Sequence, residues 1–525
     1  MHIPYSLHVQ ATITRWLRDL QPNMVKIIHY AFPALLLLSG CAGLGGDTRL
    51  HFPPSSIESS CAQFIAETEQ AITKAGVRDT QAVRISGFPY LRVNRFLASF
   101  TATVLDDPAF AAWLDQLQAL AIEGWDVEIN NLHPLPRENL QASIPLEPSV
   151  NVRSLHDAVR HCSGVLRNAD LANPARRELL SAVAQVPPEY QTWQRVLGLY
   201  PVTALAFTTG IQRWQNATRR VFSQAIEELP MQGRLMRFSP PAAGTLTRAQ
   251  VAAILKIAAR NPLRIPEPGA GDRARLLAAF APAFEIDIVT ADDRIGRPHW
   301  FADTPSIDTG DPTVYTYISH TRYAGENLLQ LNYTIWFPAR PRTGLLDLLG
   351  GHIDGITWRV TLMPDGRPWL YDSMHNCGCY HLFFPTKHAR LREQPPSLEE
   401  QSFVPQTAPD TTPLAGLTLR IAQSTHYLQR VLDKPAHLDT QTVRYRLENY
   451  DVLRSLPVSI DTRRSLFRED GIVPGTDRLE RYLFWPMGIP HPGAMRQRGH
   501  HATAFVGRRH FDDPYLLEKN FELLH

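Results

Sequence analysis

The densest group of reactive side chains in the chain is one run, Asp372-Ser373-Met374-His375-Asn376-Cys377-Gly378-Cys379-Tyr380-His381. A cysteine thiolate is a nucleophile, a histidine beside it can act as a base, and a carboxylate can orient that histidine. We therefore predict a thiol-dependent or hydrolytic site with Cys377 or Cys379 as the nucleophile. His375 and His381 are the candidate bases, and Asp372 is the candidate orienting carboxylate.

Other interpretations of the same run stay open. In an extended strand, one face would carry Ser373, His375, Cys377, Cys379 and His381. At about 3.3 Å per residue, His375 and His381 would be roughly 20 Å apart, so they can share a metal ion only if the chain folds back at Gly378. The two cysteines also fit a small-loop disulfide that exchanges with thiols. The neighbouring aromatic residues equally fit a packed strand whose cysteines are merely small and buried.

A second candidate is His352-Ile353-Asp354, which precedes an alternating strand pattern. His-x-Asp on a strand puts both groups on one face, as in the first two ligands of a 2-His-1-carboxylate iron site. His500 or His501 would have to supply the third ligand. The candidate metal ligands are therefore His352, Asp354, His375 and His381, and the competing interpretation is a polar turn. The sequence names no cofactor, and it lacks the phosphate-loop, dinucleotide and nucleophile-elbow motifs.

Two further polar groups are predicted to be structural. Arginines and aspartates surround His500 and His501, which favours a salt-bridged structural end over an anion site. Tyr317 and His320 lie near a predicted hairpin, and we expect them to be solvated loop residues.

An export signal is indicated by residues 24–46. Lys26 is followed by an apolar run and then by Leu38-Ser39-Gly40-Cys41, the order of charged, apolar and small residues in a secretory signal. A membrane-spanning helix needs roughly 20 apolar residues, and this run is shorter. The segment resembles the lipobox of bacterial lipoproteins. Translation is then expected to start at Met24, and the alternative is an extended n-region that carries Arg15, Arg18 and Lys26. The resemblance implies that Cys41 is acylated and becomes the mature N-terminus. It also implies that the lipid bilayer is a partner, with Ala42 favouring the periplasmic face of the outer membrane.

Charge and cysteine content fit an exported body. The formal net charge is +2 over 525 residues, which gives no reason to expect nucleic acid as a partner. Without Cys41, four of the five cysteines remain, an even number in an oxidising compartment. Cys61 and Cys162 each lie on the apolar face of a predicted helix. We predict a Cys61–Cys162 disulfide, with two buried free thiols as the alternative.

The periodicity predicts an α+β fold, with a helical N-terminal part followed by a mostly antiparallel β part. The divisions are a non-mature segment and signal at 1–41, a linker at 42–54, a mainly helical part at 55–283, a β-rich part at 284–525 and an exposed loop at 392–414. Within the helical part, residues 125–129 alternate and are predicted to form a strand. Near the end of the chain, residues 502–506 are predicted to form another. Ser55, and either Thr245 or Thr247, are candidate helix caps, and Asp365-Gly366 between two alternating runs predicts a hairpin.

These patterns predict a membrane-anchored periplasmic lipoprotein of unknown activity, with a possible thiol-dependent or hydrolytic site in residues 350–381. The first alternative is a non-enzymatic envelope scaffold or binding lipoprotein, for which a protein partner is possible. The second is a metal-binding protein.

Overall fold

Apolar residues repeat at helical spacing in the first half of the chain and at a spacing of two in the second, and the secondary structure follows that change. The predicted α+β class is confirmed. The computed structural model describes residues 53, 56–144, 153–242, 244–344, 347–395, 397–410, 416–435 and 440–524. The predicted lipid acceptor Cys41, its signal and nearly all of the 42–54 linker lie outside these ranges. Within them, no helix has the length and apolar content needed to cross a membrane.

The helices of the described residues are α1 (Ile57–Ala75), α2 (Arg95–Ala98), α3 (Asp107–Asn131), α4 (Pro134–Ala142), α5 (Leu155–Leu171), α6 (Pro174–Val183), α7 (Thr192–Leu197), α8 (Tyr200–Ser223), α9 (Arg248–Ala258), α10 (Ala270–Ala279), α11 (Arg481–Phe484) and α12 (Leu516–Asn520). Short 3₁₀ turns occupy Ser99–Ala102, Ile226–Glu228, Ala291–Asp293, Tyr450–Arg454 and Trp485–Met487.

The strands are β1 (Val83–Ile85), β2 (Phe88–Val93), β3 (Arg234–Ser239), β4 (Ala283–Ile288), β5 (Arg297–Phe301), β6 (Thr304–Asp308), β7 (Thr313–Tyr323), β8 (Glu326–Arg340), β9 (Gly351–Leu362), β10 (Pro368–His375), β11 (Leu382–Pro385), β12 (Ala389–Leu391), β13 (Thr418–Ile421), β14 (Leu428–Leu432), β15 (Gln441–Arg444), β16 (Arg446–Asn449), β17 (Leu456–Pro457), β18 (Arg463–Arg464) and β19 (Phe521–Leu523). The largest sheet has the order β11-β10-β9-β8-β7-β16 and is antiparallel except where β16 joins β7. A five-stranded mixed sheet has the order β14-β13-β4-β3-β15.

Local sequence signals place the helix ends of the N-terminal part. The hydroxyl of Ser56 accepts a hydrogen bond from the Ser59 amide at 3.1 Å and caps α1, one residue after the predicted Ser55. Thr247 caps α9 as predicted. Helices α1 and α5 are joined by Cys61 and Cys162, whose sulfurs lie at bonding distance, 2.11 Å apart, as the sequence predicts.

Both isolated strand predictions were wrong. Residues 125–129 belong to helix α3, where Trp125, Glu128 and Ile129 are buried at a spacing of three and four residues. The alternation in that segment is therefore the inward face of a helix rather than a strand. Residues 502–506 form no strand, because Ala502 makes only an isolated bridge to His510.

The predicted exposed loop at 392–414 is partly buried where the structure describes it. Phe403 is 3% exposed, and its carbonyl accepts a hydrogen bond from the Phe383 amide at 2.9 Å. Ala408 is also buried. This irregular segment therefore covers the edge of the six-stranded sheet at β11.

The six-stranded sheet has two chemically different faces. On one face, Leu331, Tyr333, Val360 and Trp358 join a large apolar core together with residues of α8, α9 and α10. Side chains alternate along a strand, so the residues between them point to the other side. That other side is polar, and it forms the floor of the site described next.

Candidate functional site

The polar face of the six-stranded sheet carries buried charged and amide side chains. Gln330 and Asn332 lie on β8, Arg359 lies opposite Asn332 on β9, and Asp372 lies opposite Arg359 on β10. All four are at most 3% exposed. Buried polar groups are costly unless they are paired, so such a face needs a specific set of partners.

Arg359 is held rigidly at the centre of this face. Its Nε and Nη2 donate to the two oxygens of Asp372 at 2.9 and 2.6 Å, and its Nη1 donates to the Phe511 carbonyl at 2.6 Å. The guanidinium also lies 3.6 Å from the centre of the Phe511 ring. A bidentate pair of this kind fixes the position as well as the charge. Burial raises the pKa of Asp372, but Arg359 outweighs it and holds that pKa below its ordinary value.

His381 is the third member of this buried group and binds Asp372. Its Nε2 donates to Asp372 Oδ2 at 2.8 Å, while its Nδ1 is buried without a hydrogen-bond partner among the described residues. Burial lowers the pKa of His381 to about 4 despite the carboxylate, so the ring is neutral at pH 7. The predicted association of His381 with Asp372 therefore exists, but it orients an arginine rather than a cysteine.

A cleft of about 920 Å³ lies over the polar face. Its floor includes Tyr317, Ser319, Gln330 and Arg359. Its walls come from chain segments within residues 78–97, 116–123, 186–189, 265–277, 447–454 and 498–512, and from Glu469. A volume of this size falls in the range of small-molecule and cofactor sites in proteins.

Four ionisable residues of the cleft wall form what we call the rim cluster: Arg95, Glu189, His500 and Asp512. Arg95 Nε donates to Asp512 Oδ1 at 3.2 Å, and Arg95 Nη2 lies 3.8 Å from Glu189 Oε1. One guanidinium therefore stands between two carboxyl groups. Side-chain exposure is 18% for Glu189 and 29% for Asp512, so both side chains are partly buried in the cleft wall.

The protonation state of His500 follows from its two partners. Its Nε2 faces the Thr80 carbonyl at 2.9 Å, and its Nδ1 faces Glu189 at 3.0 Å. Both partners are acceptors, so both ring nitrogens donate and the ring is an imidazolium. Burial opposes that charge, but the hydrogen bond and charge of Glu189 outweigh it and raise the pKa of His500.

The two carboxyl groups of the rim cluster differ in their acidity. Burial alone would raise the pKa of Glu189, but His500 outweighs it and lowers the pKa to about 2. Burial raises the pKa of Asp512 above its ordinary value, and Arg95 offsets the rise only in part. Two neighbouring carboxyl groups with opposite shifts can divide the roles of base and acid.

The two predicted nucleophiles lie away from the rim cluster, in the turn after β10. Cys377 and Cys379 are free, 7% and 9% exposed, and pack in an apolar cluster with Trp336 and Met495. A hydrogen bond from the Cys379 thiol to Cys377, together with burial, raises the pKa of Cys379 well above its ordinary value. In the described part of the chain, neither cysteine sulfur is hydrogen-bonded to a histidine. The thiol, rather than the reactive thiolate, is therefore the stable form of Cys379.

The turn also separates the two predicted bases. The chain reverses at Gly378, where φ is +90° and the Gly378 amide donates to the His375 carbonyl at 2.7 Å. Ser373 pairs with Leu382 across the turn, so His375 and His381 end on opposite faces of the sheet. The chain therefore folds back at Gly378, and the single face that a continuous strand would give is absent from this turn.

His375 belongs to a second buried group at the end of the apolar face. Asp354 accepts from His426 Nδ1 at 2.8 Å and from Arg478 at 3.3 Å, and His375 Nδ1 lies 3.7 Å away. Burial raises the pKa of Asp354, but Arg478 and both histidines outweigh it and leave that pKa well below its ordinary value. His426 also stacks on Phe337 with ring centres 3.8 Å apart. This group is enclosed by the core.

The four candidate metal ligands do not converge. His352 Nε2 donates to the Pro305 carbonyl at 2.6 Å, whereas His381 is bound to Asp372 on the other face from His375 and Asp354. Over the described ranges, no three or more histidine, cysteine or acidic side chains are arranged to hold a metal ion.

Several residues of the cleft escaped the sequence analysis. Arg95, Glu189 and Asp512 come from segments up to 417 residues apart, and no local pattern connects them. Tyr317 and His320 are strand residues of β7 that line the cleft, which corrects their prediction as solvated loop residues. The available signal was Arg359, the one charge in the otherwise apolar and threonine-containing stretch 356–362 of β9, with Asp372 in the middle of β10.

No family model, curated protein or solved structure matches this chain. The chain is therefore described from its own fold and site. It is an α+β protein with a charged cleft over the polar face of a mainly antiparallel sheet.

Proposed function

We propose that this protein is a lipid-anchored hydrolase of the bacterial cell envelope, which cleaves a hydroxyl-rich substrate such as a glycan in the cleft. The observation that carries the proposal is the rim cluster, in which Glu189 and Asp512 flank Arg95 at the cleft wall. Paired carboxyl groups of different acidity are the usual means of hydrolysing a glycosidic bond.

The proposed reaction uses each member of the rim cluster once. Glu189, held ionised by His500, accepts a proton from water as the water oxygen bonds to the anomeric carbon. Asp512 donates its proton to the leaving oxygen as the old carbon–oxygen bond breaks. Exchange with solvent then returns the proton from Glu189 to Asp512, so the net change is the addition of one water molecule. Arg95 orients both carboxyl groups.

The floor of the cleft suits a polar substrate. Gln330, Ser319 and Tyr317 offer amide and hydroxyl groups, and Arg359 offers a charge whose position is fixed by Asp372. Such groups hydrogen-bond hydroxyl and carboxylate groups of a sugar. Residues 350–381 thus contribute to the proposed site through Arg359 and Asp372, while its chemistry lies in the rim cluster. The geometry gives no support to a thiol mechanism at Cys377 or Cys379.

The test of catalysis is a panel of chromogenic glycosides and envelope glycan fragments, assayed for new reducing ends. We expect Asp512→Asn and Glu189→Gln each to lower the rate by roughly 10² to 10⁴-fold, the usual contribution of a general acid or base. Activity should fall as pH rises through the raised pKa of Asp512, and again as pH falls towards 2, where Glu189 protonates. The matched control is Asp303→Asn, because that side chain is 97% exposed. Full activity in Asp512→Asn would contradict the proposal.

A binding lipoprotein without catalysis is the second candidate. It is favoured by buried charge pairs elsewhere in the cleft, such as Arg454, which binds both oxygens of Asp79 at 3.0 and 2.7 Å. Thermal stabilisation by a glycan without any new reducing ends, and loss of that stabilisation in Arg359→Gln, would select this alternative.

The anchor is supported by the pattern ending at Cys41 and by the Cys61 and Cys162 pair, which suits an oxidising compartment. In a Gram-negative host, radiolabelled palmitate should enter the wild-type chain and should not enter Cys41→Ser. Fractionation should find the wild type in the outer membrane. Equal palmitate labelling of the wild type and of Cys41→Ser would show that Cys41 is not the lipid acceptor.

A further inference from the structure

Helix α7 and the first turns of α8 expose an unusual set of apolar side chains. Six large residues within thirteen positions each expose 52% to 66% of their surface, and we call them the docking face: Trp193, Val196, Leu197, Leu199, Val202 and Leu205. Single exposed apolar residues are ordinary on protein surfaces, but a contiguous group of this kind marks an interaction surface.

The docking face is presented by a firmly held element. Arg195 donates to the Met487 carbonyl at 2.9 Å and fixes α7 to the body, where Gly198 packs directly against Pro486. The inner side of α8 is buried and consists of Ala204, Ala217 and Phe222. Trp485, in the 3₁₀ turn that α7 contacts, is also exposed, and so is Tyr482 in α11, the helix just before that turn.

The charges on the chain segment that carries the docking face have a single sign. From residue 190 to residue 226 the chain has no aspartate, glutamate or lysine, and its charges are four arginines: Arg195, Arg213, Arg219 and Arg220. At 3.6 residues per turn, Arg213 and Arg220 lie on the same side of α8 as Val202. Both arginines are exposed. The outer side of α8 therefore changes from apolar to cationic along its length.

We propose that α7 and α8 are a membrane-docking surface that lies on an anionic lipid bilayer. Exposed tryptophan and leucine beside arginine are typical of helices that bind at the membrane interface. The apolar side chains would enter the boundary of the acyl chains, and the arginines would meet anionic headgroups. The predicted anchor agrees with this occupant. Cys41 precedes Ser56 by 15 residues, which span at most about 50 Å when fully extended, so an acylated chain keeps its body close to the bilayer.

The experiment uses the full chain with Cys41→Ser, so that no acyl group contributes, and it is independent of any activity in the cleft. Failure of docking can therefore be told apart from failure of the proposed hydrolysis or of lipidation. Binding is measured by co-sedimentation with vesicles of phosphatidylcholine alone and of phosphatidylcholine with phosphatidylglycerol. We expect binding to the anionic vesicles that weakens as salt is raised.

The matched variants separate the apolar and cationic contributions. Leu197→Glu with Val202→Glu should weaken binding by roughly tenfold or more, because one buried leucine side chain is worth about that much. Phe301→Glu with Ile460→Glu is the control: it removes two apolar residues that are 73% and 98% exposed elsewhere. Arg213→Gln with Arg220→Gln should reduce the salt dependence, and Arg260→Gln with Arg444→Gln, at two other exposed arginines, should not.

Three results would overturn the proposal. The first is no binding to either vesicle by the Cys41→Ser chain. The second is equal loss in the docking-face and control variants while both keep the parent melting temperature. The third is concentration-dependent self-association that Leu197→Glu with Val202→Glu abolishes, without vesicle binding, since that would assign the face to a second copy of the chain.

Discussion

At the scale of single residues, partners rather than spacing decide what each reactive side chain can do. His381 and His375 are six positions apart, yet one supports the Arg359–Asp372 pair and the other faces Asp354 in the core. Glu189 and Asp512 carry the same kind of carboxyl group, but their pKa values shift in opposite directions. His500 lowers the pKa of Glu189, whereas burial raises the pKa of Asp512. Protonation in this protein is therefore a property of contacts made across the fold.

The state of the two cysteines gives a prediction at this scale. In the Cys41→Ser chain, we expect Cys377 and Cys379 to resist a maleimide at pH 7, because both are buried and the pKa of Cys379 is well above its ordinary value. Two thiols per chain should react after unfolding in guanidinium. Ser459→Cys, at an exposed position, provides a rapidly reacting reference. Rapid labelling of the native chain below pH 7 would contradict this prediction and would support Cys377 or Cys379 as a nucleophile.

At the scale of elements, the sequence predicts what depends on neighbouring residues. The hairpin of β9 and β10 was predicted from Asp365-Gly366, and Gly366 adopts the positive φ of +86° that such a turn requires. The cap at Thr247 and the inward faces of Cys61 and Cys162 depend on helical spacing alone and were also predicted. In each case the deciding interaction lies within a few residues or within one period.

The elements that were mispredicted depend on distant partners. Residues 125–129 alternate like a strand, but Glu128 is buried because Arg92 Nη2 donates to it at 2.7 Å, which makes a charged residue part of a helix's inner face. Thr503 and Ala504 donate to Arg509 and Tyr190 rather than to a neighbouring strand. The rim cluster could not be predicted for the same reason, since the closure that brings Arg95 to Asp512 has no local signal.

At the scale of the whole molecule, the helical and β-rich parts share one apolar core. Phe222, Val251 and Leu276 from the helices pack in the same cluster as Leu331 and Val360 from the large sheet. Strand β3, from the helical part, pairs with β4. Arg454 and Asp79 form a buried ion pair across 375 residues of chain. The apolar sides of α8, α9 and α10 are therefore buried against the large sheet of the β-rich part.

This shared core predicts that residues 55–283 do not fold alone. Isolated, the segment exposes the apolar sides of α8, α9 and α10 and leaves β3 without β4, so the loss of burial should exceed the 5–15 kcal/mol that stabilises a typical protein. Circular dichroism and thermal melting should show no cooperative transition for 55–283, whereas residues 42–525 with intact Cys61 and Cys162 should unfold in one transition. Coexpression of 55–283 with 284–525 is the control, and it should restore a soluble complex. A monomeric 55–283 that melts cooperatively would show instead that the helical part is an independent domain.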